Sequence, residues 1–361
     1  MGKATKVIVK DRLRHFKPND TDNLKVSFLT FCCPESIAHW RSMTPAKYLA
    51  TNSVHTTVLY EHIRKEVIDW SDVVVFQRAT GIGAKKLLTY CNMANKVTVY
   101  DMDDNFFDFP NTVEYEKIDR QQIIDSVLEI MNGCDAITTT TPILKQEFKK
   151  HLGKRDIYVL PNCLDYSFWK DDWKVTRDDG FIRIGYVGGS FHISDTEMVL
   201  PALYAILKKY DNVIVEIIGL KTSLDKYFEG RVIHHEPVEM KELPKFLSSH
   251  PFDIAIAPLL NNTFSACRSN IRLLQHSVYN TPCVVSPIGS YKEAIDKKFP
   301  CVVADDTIDS WIEGMSKLVE DVQLREKLGS SAHWWGYENY NIEKHVLKWY
   351  RAYKDIIKKV Y

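Results

Sequence analysis

The stretch "IRIGYVGGSFHISD", residues 182–195, decides how the chain is read. An apolar run ends in Gly188 and Gly189, and a helix start near Ser194 follows, with Asp195 in its first turn. That is one strand–loop–helix unit. Four more strands follow it: "VIVEIIG" (213–219), "RVIHHEP" (231–237), "FDIAIAPL" (252–259) and "PCVVSPIG" (282–289). Between them lie "TEMVLPALYAILKKY", "MKELPKFLSSH" and "SNIRLLQHSVYN", all with helical spacing. Strands alternating with helices imply βαβ units and a parallel sheet.

Toward the N-terminus the same rhythm recurs. "LKVSFLTF" (24–31), "VVVFQR" (73–78), "KVTVYDMDD" (96–104), "DAITTTT" (135–141) and "DIYVLPN" (156–162) read as strands. "EHIRKEVIDW" and "DRQQIIDSVLEIMNGC" read as helices. With 361 residues the chain has room for two such domains. The polar stretch "DYSFWKDDWKVTRDDG" (165–180) is the expected linker. The fold class predicted is therefore α/β, two Rossmann-like doubly wound domains facing across a cleft. Open α/β sheets bind ligands outside the carboxyl ends of their strands.

Bulk properties narrow the class. Apolar residues make up 45% of the chain, enough for sizeable cores. Lys+Arg and Asp+Glu are 47 each, and this neutrality argues against a dedicated polyanion binder. The eight cysteines form no CxxC pair and no zinc spacing, so reduced core thiols in a cytoplasmic protein are expected. No apolar run approaches a membrane span. The basic start "MGKATKVIVKDRLRHFK" is expected to be a solvated tail, the alternative being contact with a membrane surface or polyphosphate.

Three stretches carry candidate chemistry. In the first, Gly185, Gly188, Gly189 and Ser190 lead into a helix N-terminus, an arrangement suited to phosphate. It is not a Walker loop, since no GKS or GKT follows. His192 in that loop is expected either to be exposed and available to a sugar or a proton, or to serve in capping or packing. In the second, a strand ends at Pro258 and a helix is expected from about Ser269, through Asn270 and Ile271. Arg268 and Arg272, four apart, would share one face near its start and clamp a diphosphate. Gln275, one turn on, suits a ribose. Gly219 ends the neighbouring strand. The third is "DMDD", where Asp101, Asp103 and Asp104 follow an apolar strand and either hold a metal or form one wall of the cleft. "GIGAKK" (81–86) also has the look of a phosphate loop, but no strand leads straight into it.

These stretches, with "VLPNCLD" (159–165) and the C-terminal "LVEDVQLREKLGSSAHWWGYENYNIEKHVLKWYRAYKDII", resemble the retaining GT-B glycosyltransferases (glycosyl transferases group 1, family-4-like). The resemblance implies an acceptor-side domain over residues 1–165 and a nucleotide-sugar-binding domain over 166–340. It implies a tail over 341–361 that packs back on the first domain. It implies a nucleotide-sugar co-substrate, a UDP-sugar foremost, with no metal and no further cofactor. Arg268 and Arg272 match the family's basic positions at the donor diphosphate. Its ribose-binding glutamate is Gln275 here, an earlier acidic position is Cys267, and its Gly-X-Pro turn is Asn280–Thr281–Pro282. "DMDD" then becomes the acceptor-side rim, Asp101 or Asp103 binding hydroxyls and Phe106 and Phe107 packing beneath.

The implied acceptor is a glycan, a lipid-linked sugar or, as in phage-type enzymes, a hydroxymethylated DNA base. A nucleotide-sugar epimerase and a silent nucleotide-sugar binder share the same plan and stay open. A dehydrogenase is disfavoured, because no strand–GxGxxG–helix unit with a following acid occurs.

Overall fold

The computed structural model describes residues 23–31, 37–52, 54–60, 63–108, 120–170, 175, 177–189 and 192–361. Its frame is two six-stranded sheets, every pairing parallel. The first holds β1 (Lys25–Thr30), β2 (His55–Leu59), β3 (Val73–Gln77), β4 (Val97–Met102), β5 (Ala136–Thr139) and β6 (Ile157–Val159), in the order β2-β1-β3-β4-β5-β6. The second holds β7 (Ile182–Val187), β8 (Val213–Ile218), β9 (Val232–His235), β10 (Ile254–Ala257), β11 (Cys283–Val285) and β12 (Val302–Val303), in the order β12-β11-β10-β7-β8-β9. The central strands are near-continuous apolar runs because helices cover both of their faces. "VVVFQ" in β3 is buried at every position.

Every strand expected from the sequence is present, and the outermost β2 and β12 are additional. β2 opens with His-Thr-Thr and is only half-buried, and β12 is two residues long, so neither carries a strong apolar signal.

In each sheet the strand order reverses once, between β1 and β3 and between β7 and β10. These are the switch points where doubly wound sheets leave a crevice. Two chain crossings join the halves and lie side by side. Leu164 N donates to the Tyr340 carbonyl at 2.7 Å, and Ile342 N donates to the Leu164 carbonyl at 2.9 Å. Beyond that point the helix Leu347–Val360 lays Trp349, Tyr353 and Ile356 against Val26, Phe28, Val75 and Val99 of the first sheet.

Candidate functional site

The carboxyl ends of the two sheets border one cleft of about 670 Å³. On the second-domain side, β7 runs into Gly188 and Gly189, both lining the cleft. Gly219, after β8, has φ 86°, and a Cβ there would sit 2.5 Å from the Gly188 carbonyl oxygen. Glycine is required for the two strand-end loops to touch. Gly185 does something other than expected. It lies inside β7, where a Cβ would fall 2.0 Å from the Phe252 ring, so it is a packing glycine and does not border the cleft. Ser190 falls outside the described residues.

The two arginines are not on one helix. A short helix, Thr263–Cys267, ends at Arg268, whose backbone is extended (φ −67°, ψ 151°), and the next helix, Ile271–Val278, starts after Asn270. Arg268 thus sits between helices and Arg272 in the first turn of the second. Their side chains still converge, since both line the cleft beside Ser269, Ile271 and Gln275.

Arg272 is 7% exposed. Its Nε donates to the Val187 carbonyl at 2.9 Å. Its contacts to the Pro258 carbonyl and the Tyr186 hydroxyl, at 3.4 Å, are long. The guanidinium lies 4.8 Å from the Tyr186 ring centre. Among the described residues no carboxylate pairs with it. Pro258 does not border the cleft and meets Arg272 only through that long carbonyl contact.

Arg268 stacks over Phe264 at 4.5 Å and reaches Asp195 Oδ2 at 3.4 Å. Its Nη1 also contacts both ring nitrogens of His192, Nε2 at 3.0 Å. His192 Nδ1 is 3.0 Å from Asp195 Oδ2. Of the two expectations for this histidine the structure shows the capping and packing one: His192 is the N-cap residue of the helix Ile193–Lys209, packed between Arg268 and Asp195 while it still lines the cleft. Burial, with the charges of Arg272 and Arg268, lowers its pKa to about 3, so the ring is neutral near pH 7. Burial alone would raise Asp195, but the His192 bond and the Leu260 N–H, donating at 2.9 Å, hold it below its ordinary value. With one carboxylate, a neutral ring and two guanidiniums, this wall keeps a surplus positive charge.

The opposite wall is built differently. Asp101 belongs to β4, which runs two residues further than the apolar "KVTVY" suggests. Its carboxylate faces the interior: Arg41 Nε and Nη2 donate to it at 3.0 and 2.6 Å, and Thr138 Oγ1 at 2.6 Å. Asp101 is 3% exposed and does not border the cleft, so the expected contact with acceptor hydroxyls is not available to it. Asp103 and Asp104 do border it. One guanidinium holds both: Arg78 Nε donates to Asp103 at 2.6 Å and Nη2 donates to Asp104. Burial and the neighbouring Asp104 push Asp103 up despite Arg78. For Asp104 burial is outweighed by Arg78 and by Arg268 across the cleft, and the carboxyl is held low. Phe106 lies 5.6 Å from the Arg78 guanidinium and lines the cleft, whereas Phe107 stacks on His151 at 3.9 Å, outside it.

Arg78, at φ 49°, is a site residue the sequence reading passed over. The signal was a cation just past Gln77, which ends the strand after the apolar run Val73–Phe76. Trp40 and Tyr291 also line the cleft and were not assigned to the donor site. Among the described residues no three His, Cys, Asp or Glu side chains converge as a metal site. "GIGAKK" opens the helix Gly81–Met93 away from the cleft, with the Gly81 N–H on Ser126 Oγ at 2.9 Å.

No family model matches the chain, and no curated protein matches it by sequence. Solved structures do match in shape. Sucrose-phosphate synthase (tll1590) from Thermosynechococcus elongatus superposes with a TM-score of 0.65 at 9% identity, over 93% of this chain and all of the other. Anabaena Alr3699/HepE in complex with UDP and glucose gives 0.65 at 12% identity, over 92% and 99%. A putative UDP-N-acetylglucosamine 2-epimerase from Listeria monocytogenes gives 0.54 at 11%, over 93% and 97%. At these identities the likeness is one of architecture: the chain has the two-domain GT-B fold.

Proposed function

We propose that the protein is a retaining glycosyltransferase that moves a hexosyl or pentosyl group from a nucleotide-sugar, a UDP-sugar foremost, to a hydroxyl acceptor. One observation carries this reading. Arg272 is buried at the border of the cleft with no counter-ion among the described residues. A buried charge without a partner costs several kcal/mol. A donor diphosphate resting on Gly188, Gly189, Arg268 and Arg272 supplies the missing charge. The shape likeness to glycosyltransferases supports the same reading.

As the bond from the sugar to the diphosphate breaks, negative charge grows on the leaving oxygen. Arg268, Arg272 and the amides of the Gly188–Gly189 turn meet it, a contribution of about 3–4 kcal/mol per well-placed donor. The acceptor hydroxyl attacks on the same face of the sugar. Its oxygen forms the new glycosidic bond, and its proton passes to the departing phosphate. His192, being neutral, hydrogen-bonds without adding charge, and Gln275 and Ser269 suit the ribose side. The two arginines balance the diphosphate, so we propose that no metal and no other cofactor is needed.

On the acceptor side, Asp103 and Asp104 outnumber Arg78. That balance suits a neutral, hydroxyl-rich acceptor such as a glycan or a lipid-linked sugar. A hydroxymethylated DNA base is the alternative, and it would bring phosphates against this wall. No helix among the described residues is long and apolar enough to cross a membrane. We propose that the protein works in the cytoplasm, where an acceptor at a membrane surface would also be within reach.

A thermal-shift screen of UDP-, GDP-, ADP- and CMP-sugars tests the donor half. A ligand at about 100 times its Kd stabilises by roughly 2.7 kcal/mol, and a response to none of them sinks the reading. The shape likeness to a putative epimerase favours one second reading. Incubating the donor alone separates the two: an isomerised sugar nucleotide means epimerase, and a product only with acceptor means transferase.

A further inference from the structure

The segment that carries Arg268 belongs to the second half of the chain but is seated in the first domain. Cys267 is fully buried in the apolar cluster that contains Leu144 and Phe148 of the helix Pro142–Leu152. Thr141, capping that helix, donates from Oγ1 to the Cys267 carbonyl at 3.0 Å. On the other side of Arg268, Asn162 Nδ2 donates to Ser269 Oγ at 3.0 Å. Asn162 is itself fixed, because its Oδ1 accepts from Arg41 Nη1 at 3.1 Å, and Arg41 is locked on Asp101. Of three consecutive residues the first domain grips the outer two, and the middle one points its guanidinium at the cleft. Arg268 lies between helices, and its N–H donates to the Ser265 carbonyl at 3.2 Å.

We infer that Thr141 and Asn162 are positioning residues for Arg268: by holding Cys267 and Ser269, the first domain sets where the phosphate-facing guanidinium sits. Separating the domains frees the segment and weakens the anion site. Donor charge is then met in full only while the acceptor domain is in place. This rests on the donor-site reading above.

The test uses the full chain as wild type, Thr141→Ser, and the double variant Thr141→Val/Asn162→Ala. UDP and inorganic pyrophosphate binding is measured by calorimetry, and Cys267 modification by N-ethylmaleimide is followed by peptide mass spectrometry. Cys91, buried in the first-domain core, is the internal control. Two lost hydrogen bonds should raise the UDP Kd about tenfold and speed Cys267 labelling by a similar factor. Cys91 should stay protected, and Thr141→Ser should behave as wild type. A folded double variant with wild-type UDP affinity, or with Cys267 as protected as before, overturns the proposal. Equal acceleration at Cys91 also overturns it, since the contacts would then only hold the fold together. If the wild type binds neither UDP nor pyrophosphate, the donor-site reading falls, and the labelling still decides whether the segment is latched.

Discussion

The two walls of the cleft are made alike and charged oppositely. Each stands at the carboxyl ends of a parallel sheet, at the place where strand order reverses. On one, Arg78 is matched by two carboxylates. On the other, Arg268 reaches Asp195, and among the described residues Arg272 has no carboxylate partner. The fold therefore does not decide what binds; the local balance of charge does. One wall is saturated and offers carboxylate oxygens to hydroxyl groups. The other is left short of anions.

The hardest way to break this contrast is to remove the unmatched charge. Arg272→Ala should lower turnover about 10²–10³-fold, with Arg268→Ala close behind and the fold intact in circular dichroism. Full activity in either variant removes the diphosphate clamp. A second test sets Asp101 against Asp104. Asp101→Asn leaves Arg41 buried without its partner and should cost about 3–5 kcal/mol in urea unfolding. Asp104→Asn, at the cleft, should cost under about 1 kcal/mol while changing acceptor KM. Equal destabilisation by both would erase the distinction between a structural and a cleft-facing carboxylate.

Acid sharpens the comparison from another side. His192 and His276 are lowered to about 3, and His39 to about 4, in each case mainly by burial. Unfolded, all three titrate near 6.5. The unfolded chain therefore takes up protons first, so their contribution to stability is intact above about pH 6.5 and drains away as pH falls toward 4 and below. Urea midpoints at pH 7.5, 6 and 5 should decline in step, and a flat profile contradicts the neutral buried rings. The smallest effect expected is from Gln275→Glu. A charge-assisted bond to a ribose should tighten donor KM by about tenfold or less, and no change places the ribose elsewhere. Turnover in EDTA should match the untreated rate, and a collapse there returns the acidic wall to a metal.

The sheets were legible because fully buried strands leave apolar runs that polar loops interrupt. What escaped depends on a residue or two of backbone. "VYDMDD" shows a strand meeting acids but not where the strand stops, and those two residues decide whether Asp101 lies in the cleft or beneath it. A spacing of four implies a shared face only on an unbroken helix, and the break at Arg268 hides in "CRSN". Arg78 needed knowledge of a left-handed turn. The helix Pro142–Leu152 did carry its signal, a threonine cap followed by proline, the cap side chain accepting from Leu144 N at 3.1 Å.

The return of the helix Leu347–Val360 to the first sheet has a consequence for biosynthesis. Trp349, Tyr353 and Ile356 finish a core begun more than 300 positions earlier, at Val26 and Phe28. A ribosome making this chain emits the first domain with one face of its sheet only partly covered, by Ala46, Tyr48 and Leu49. That half waits, with apolar surface in reach of chaperones, until the last helix emerges, while the second half can already close around its own strands.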